Sequence, residues 1–125
     1  MAKKRIIIVE DDEEILSLLS KRLAREGHDL LTLTRGQGVV QKAKDFLPHL
    51  ILMDIMLPDM DGADVVQELQ KDNVTKDIRV IFLSGIVSKE EGSDGSLKVG
   101  DHEYPALPKP FTIEQLLSAI NRYAR

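Results

Sequence analysis

Residues 50–62 read LILMDIMLPDMDG. Four consecutive apolar residues run straight into a carboxylate, Asp54, and a turn-forming Pro58-Asp59-Met60-Asp61-Gly62 follows. A short apolar run closed by turn residues predicts a strand covered on both faces, as in a parallel sheet. An acid at the end of such a strand either caps and solvates a loop or does chemistry. The rest of the chain decides between these readings.

Working outward, short apolar runs alternate with helical patterns, the signature of βαβ units. Residues 5–9 form the first predicted strand. The helix after it carries Ile15, Leu16, Leu19 and Leu23 on one face, with acids in its first turn and Gly27 as its stop. Residues 28–34 predict a weaker, more polar strand nearer an edge, and residues 37–47 a helix burying Val40, Ala43 and Leu47. Residues 63–71 predict a third helix packing through Val65, Val66 and Leu69, with Asp61 as its cap, and residues 78–83 a fourth strand.

The pattern then weakens. Residues 88–103, SKEEGSDGSLKVGDHE, contain three glycines and only Leu97 and Val99 as apolar residues, so a mobile loop or very short helix is expected there. Residues 104–107 predict a short last strand, and Pro105 within it suits a sheet edge. Thr112-Ile113-Glu114-Gln115 opens the last helix with a capping box, and Ile113, Leu116, Leu117 and Ile120 form its buried face. No repeat or linker divides the chain, so residues 1–125 read as a single domain, (βα)5 with the fourth helix short or missing.

Composition narrows the function classes. With 42% hydrophobic and 30% charged residues, the chain is expected to fold as an ordinary globular domain. The absence of cysteine excludes disulfides and thiolate metal sites and fits a reducing cytoplasm. No apolar run approaches membrane-spanning length, and MAKKR is followed by too short an apolar stretch for a signal peptide. A net charge of -4 argues against nucleic acid as the principal partner, and 125 residues leave no room for a separate DNA-binding module.

Ligands of open parallel sheets bind outside the carboxyl ends of the strands, where the strand order reverses. The sequence puts Glu10, Asp11 and Asp12 after the first strand, Asp54 after the third, Ser84 after the fourth and Lys109 after the fifth. Each has an ordinary explanation alone: an N-cap, a solvated strand end, a loop start, a surface lysine. Their joint occurrence at one rim is what carries the functional reading. Clustered carboxylates stay ionised together only with a cation among them, and an all-oxygen donor set suits Mg2+. The scattered His28, His49 and His102 argue against zinc. A carboxylate beside Mg2+, with a lysine and a hydroxyl converging, is equipped to accept a phosphoryl group as an acyl phosphate on Asp54.

IIIVEDDEEI, LILMDIMLPDMDG, VIFLSG and LPKPF, in this order and spacing, resemble the receiver domain of two-component response regulators, over nearly the whole chain. The resemblance implies a flavodoxin-like, doubly wound sheet of five parallel strands in the order 2-1-3-4-5. It makes Asp54 the phosphoacceptor and Glu10 and Asp11 the acidic pair that holds Mg2+. Met56 supplies a backbone carbonyl as a further ligand, Ser84 is the switch hydroxyl and Lys109 the lysine pairing with the phosphoryl group. It also implies a cis Lys109–Pro110 bond, and a phosphohistidine on a sensor kinase or phosphotransfer protein as donor.

Two departures stand out. The aromatic residue usual three positions before the lysine is Ala106 here, and Tyr104, on the same strand face, is the nearest substitute. The 88–103 segment replaces the usual fourth helix, so signalling through a different face, or ordering of that segment on activation, is expected. Met56 and Ile86 are apolar where family members flank the attacking water, which implies slow self-dephosphorylation. The rivals are a pseudo-receiver that is a protein-interaction module only, and a flavin carrier or aspartyl phosphatase of similar shape. The intact acid, hydroxyl and lysine set opposes the first. Low aromatic content, Met56 where a phosphatase needs an acid, and the lack of a Walker motif oppose the second.

Overall fold

The computed structural model describes residues 3–85 and 96–123. The elements follow in the order β1 (Arg5–Val9), α1 (Glu13–Arg25), β2 (Asp29–Leu33), α2 (Val39–Phe46), β3 (Leu50–Asp54), α3 (Gly62–Gln70), β4 (Arg79–Ser84), β5 (Ser96–Val99), β6 (His102–Pro108) and α4 (Ile113–Tyr123). They build one sheet in the order β2-β1-β3-β4-β6-β5. β2, β1, β3, β4 and β6 run parallel, and β5 pairs antiparallel with β6. This is the doubly wound α/β fold expected from the sequence.

Alternation along the strands explains why their apolar runs are unbroken. Ile7, Val9, Ile51, Met53, Val80 and Phe82 face one way and pack against Val39 and Ala43 of α2 and Val65, Val66 and Leu69 of α3. Ile6, Ile8, Leu50, Leu52, Ile81 and Leu83 face the other way, onto Leu19 and Leu23 of α1 and Leu116 and Ile120 of α4. All five residues of β3 are buried, because this strand has helices on both faces and strands on both edges. β2 is an edge strand and the most polar of the parallel set, as its sequence predicts.

Helix ends follow local chemistry. The Asp12 carboxylate accepts the Glu14 and Ile15 N–H groups and caps α1, and Gly27 at φ 94° lets the chain leave that helix. Thr112 and Gln115 form the reciprocal capping box of α4, at 2.8 and 3.1 Å. Asp61 holds the N-cap position of α3 with extended backbone, but its side chain makes no capping bond. There the Gly62 N–H donates to the Ile55 carbonyl at 2.7 Å instead.

Two expectations change at the far edge. Among the described residues the sheet has six strands rather than five, and residues 96–103 form strand, turn and strand rather than loop or short helix. Residues 88–95 of that segment lie outside the described residues. The strand containing Pro105 is also interior rather than an edge, because β5 covers it. Proline fits because it sits where both ladders end. Its partner on β5 is Ser96, the first residue of that strand, and pairing with β4 begins one residue later, at Phe82 and Ala106. Apolar periodicity is a poor guide to a four-residue strand whose pattern is intermediate, intermediate, exposed, buried.

Candidate functional site

The strand order reverses between β1 and β3, and the crevice beyond their carboxyl ends holds the acids. Glu10 and Asp11 continue β1 and Asp54 ends β3, so parallel pairing of Val9 with Met53 brings them level. One carboxylate oxygen from each of Glu10, Asp11 and Asp54 lies within 4.8 Å of the others. Glu10 is fully buried, Asp54 is 6% exposed and Asp11 is exposed.

Lys109 follows β6 and reaches across to both buried acids. Its Nζ donates to Glu10 Oε1 at 2.7 Å and lies 3.4 Å from Asp54 Oδ2. Its backbone N–H donates to the Ser84 carbonyl at 2.7 Å, which ties the end of β6 to the end of β4. The Lys109–Pro110 peptide is cis. Ser84 is buried at the tip of β4. The Met56 N–H donates to Asp54 Oδ1 at 3.3 Å, while the Met56 side chain is 63% exposed. The other Glu10 oxygen accepts the Asp12 N–H at 3.1 Å. The acids after β1 are thereby divided: Asp12 caps the helix, while Glu10 and Asp11 face the site.

These positions fix the electrostatics. Burial pushes the Asp54 carboxyl up to about 7, and the hydrogen bond and negative charge of Glu10 add to it. Lys109 and the Met56 N–H oppose the rise. For Lys109, burial acts to lower the ammonium pKa, but the hydrogen bond and charge of Glu10, with Asp54, outweigh it and raise the group. Lys109 is therefore charged at neutral pH, and among the described residues it is the one cation ion-paired within this group of three acids. An oxygen-only cluster still short of positive charge is matched to a hard divalent cation such as Mg2+.

Sequence reasoning missed two supports. A Cβ at Gly62 would stand 2.3 Å from the Asp54 carbonyl oxygen and 2.9 Å from Met53 Cγ, so only glycine lets α3 begin directly against the acid's backbone. Asp59 accepts the Gly36 and Gln37 N–H groups, both at 2.8 Å, and braces the loop after β3 against the one after β2. The Asp-Met-Asp-Gly run signalled a turn, but nothing local signalled what it would press against.

The sequence model of the response regulator receiver domain matches residues 6–121, and the chain belongs to that family. It is therefore a receiver domain of the kind found in two-component signalling. Among curated relatives, the alkaline phosphatase synthesis transcriptional regulatory protein PhoP of Bacillus subtilis is 31% identical over 124 residues, 98% of this chain and 49% of the relative. The DNA-binding dual master transcriptional regulator RpaA of Synechocystis is 36% identical over 124 residues, 97% of this chain and 49% of the relative. The chain thus spans about half the length of the curated relatives it matches. Chemotaxis protein CheY4 of Vibrio cholerae superposes with a TM-score of 0.82 at 26% identity, covering 97% of this chain and 98% of the other. The receiver domain of sensor histidine kinase PA1611 of Pseudomonas aeruginosa, solved with magnesium in its active site cleft, also reaches 0.82, covering 98% of each chain. At 24% identity that likeness is one of fold.

Proposed function

We propose that this domain is a phosphoryl-accepting switch and that Asp54 is its acceptor. The observation that carries the reading is the buried Asp54 carboxylate grouped with Glu10 and Asp11 within 4.8 Å, with the Lys109 ammonium reaching two of the three acids. Glu10, Asp11 and Asp54, with the Met56 backbone carbonyl, would hold Mg2+. When bound, the metal supplies positive charge that keeps the acids ionised together and offsets charge on phosphoryl oxygens. One Asp54 oxygen attacks the phosphorus of a phosphohistidine on a sensor kinase or phosphotransfer protein. The new O–P bond forms as the P–N bond breaks, and the imidazole leaves and takes a proton from solvent. Lys109 pairs with a phosphoryl oxygen, and the Ser84 hydroxyl donates to another.

Residues 1–125 act as one receiver domain, working in the cytoplasm, that does not itself bind nucleic acid. The net charge of -4 supports this. Relatives about twice its length are named as transcriptional regulators, so the output lies with a further domain or a partner protein. Among the described residues no helix is long and apolar enough to cross a membrane. The surface near Ser84 and Lys109 changes on phosphorylation, and signalling runs through a face other than that of the usual fourth helix. Met56, exposed and apolar, leaves the attacking water without a hydrogen-bonding guide. The acyl phosphate is therefore long-lived, and Met56→Asn shortens its half-life. Ile86, the second residue of that reading, lies outside the described residues.

Intact mass after incubation with acetyl phosphate and Mg2+ tests the assignment. Gain of one phosphoryl group, absent in Asp54→Ala and without Mg2+, is the expected outcome. No gain, together with no binding of beryllofluoride, would leave the pseudo-receiver reading in its place.

A further inference from the structure

β1 is fastened at its start by two imidazoles. His28 and His49 stand immediately before β2 and β3, the strands on either side of β1. His28 Nδ1 accepts the Lys4 N–H at 3.1 Å, and His49 Nδ1 accepts the Arg5 N–H at 2.9 Å. Consecutive backbone N–H groups point to opposite edges of a strand, and each here meets a ring nitrogen. The backbone closes the same two joints. The Asp29 N–H donates to the Lys4 carbonyl at 3.0 Å, and the His49 N–H donates to the Arg5 carbonyl at 2.8 Å.

A ring nitrogen that accepts a hydrogen bond carries no proton, so this geometry requires the neutral Nε2–H tautomer of both histidines. Protonation would set N–H against N–H at each joint. The bond is abolished rather than weakened, and a backbone donor loses its partner. We propose that His28 and His49 form a proton-sensitive clamp on the start of β1, closed while both rings are neutral and opened by acid. The inference is independent of the reading of Asp54, which lies beyond the opposite end of the sheet.

The surroundings set where the clamp opens. His28 is buried, beside Lys4 from the start of β1, Glu26 from the end of α1, and the ion pair of Lys3 with Asp29. Burial lowers its pKa most, and Lys4 lowers it further against the opposing pull of Glu26. His49 is exposed, and burial, Arg5 and Lys4 all lower it. The Arg5 side chain is fixed there, since its Nε donates to the Leu47 carbonyl at 2.8 Å. Both rings therefore resist protonation in the folded state more than in the unfolded one. The stability they confer is complete above the unfolded value of about 6.5 and is withdrawn as pH falls toward and through the lower folded values.

Asparagine places an amide oxygen near the position of Nδ1 and does not titrate, so His28→Asn with His49→Asn keeps the acceptors and removes the proton. Between about pH 7.5 and about pH 5, the wild type should lose folding stability that the double variant keeps. Because the comparison is with the same chain, titration of Asp54 and the other acids cancels. Amide-exchange protection at Lys4 and Arg5 should fall over the same range by more than at Ile7 and Ile8, and only in the wild type. Parallel pH profiles for the two proteins would overturn the proposal. So would ring-nitrogen shifts showing an Nδ1–H tautomer near neutral pH, or imidazole pKa values at or above about 6.5. The ring measurements use the wild-type protein and decide the matter even where the double variant does not fold.

Discussion

At Asp54 the site works against the fold. The native carboxyl titrates at about 7 against an ordinary 3.8, so between those values the folded protein keeps a proton that the unfolded chain has lost. For this group alone, stability is undiminished below the unfolded value, declines as pH rises through the interval, and carries the full penalty above it. Asp54→Asn removes the penalty. Without divalent cations, the variant should exceed the wild type in stability by about 1–3 kcal/mol near pH 8, with the gap closing near pH 4. Urea titrations at both values check this. Millimolar Mg2+ near pH 8 should stabilise the wild type and leave Asp54→Asn nearly unchanged, since only ionised acids bind it well. Gly62 is the second informative residue. A methyl group 2.3 Å from the Asp54 carbonyl forces backbone movement, so Gly62→Ala should cost about 1–3 kcal/mol by overpacking and weaken Mg2+ binding together. Lost stability with unaltered Mg2+ affinity would separate the glycine from the site.

Among the elements, the β5–β6 hairpin departs furthest from expectation and has its own fastening. Gln70, the last residue of α3, donates from Nε2 to the Val99 carbonyl at 3.1 Å and to the Tyr104 hydroxyl at 2.7 Å. One amide thus ties a helix to both strands. Tyr104 meets Phe82 edge to face, with centroids 5.8 Å apart and planes at 84°. It packs on the same core layer as Ala106, as a two-residue shift along a strand requires. Gly100 turns the hairpin at φ 61°, and a Cβ there would stand 3.0 Å from Gln70 Oε1. Gln70→Ala should cost about 1–2 kcal/mol, because the Val99 carbonyl and Tyr104 hydroxyl lose a donor together. Amide exchange should accelerate from residue 97 to 104 while β1 and β3 stay protected. Uniform acceleration across the sheet would mean that the hairpin has no stability of its own to lose.

The whole molecule is a sheet with two cores, and β3 belongs to both. Leu52 is fully buried beneath α1 and α4, and its truncation leaves a cavity with strands on either side to hold it open. Leu52→Ala should cost about 3–4 kcal/mol, a large share of the stability of a domain this size. Leu18 is 57% exposed on α1, and Leu18→Ala should shift stability by only about 0.5 kcal/mol. Denaturation followed by circular dichroism gives both values. Comparable losses at the two positions would contradict the core assignment. The same architecture aligns the acids, because the reversal of winding between β1 and β3 leaves a crevice at their carboxyl ends.

Much of this was legible in the chain, for a physical reason. β1, β3 and β4 announce themselves because burial on both faces demands unbroken apolar runs, and α1 and α4 because apolar spacing and capping residues act within a few positions. The acids and the lysine could be assigned to one rim because a parallel sheet puts every strand's carboxyl end on the same side. The sequence by itself therefore determined the doubly wound fold and the gathering of Glu10, Asp11, Asp54 and Lys109 at one rim. Tertiary structure alone decided what depends on distant partners. Residues 96–103 carry little apolar signal, and they form a hairpin because β6 offers an edge and α3 supplies Gln70. Lys109 lies nearer to Glu10 than to Asp54, across 99 positions of chain, a pairing that exists only once the sheet brings the ends of β1 and β6 to one rim. The rise in the Asp54 pKa likewise has no local signature, since it comes from burial and a neighbouring strand that only the closed fold brings together.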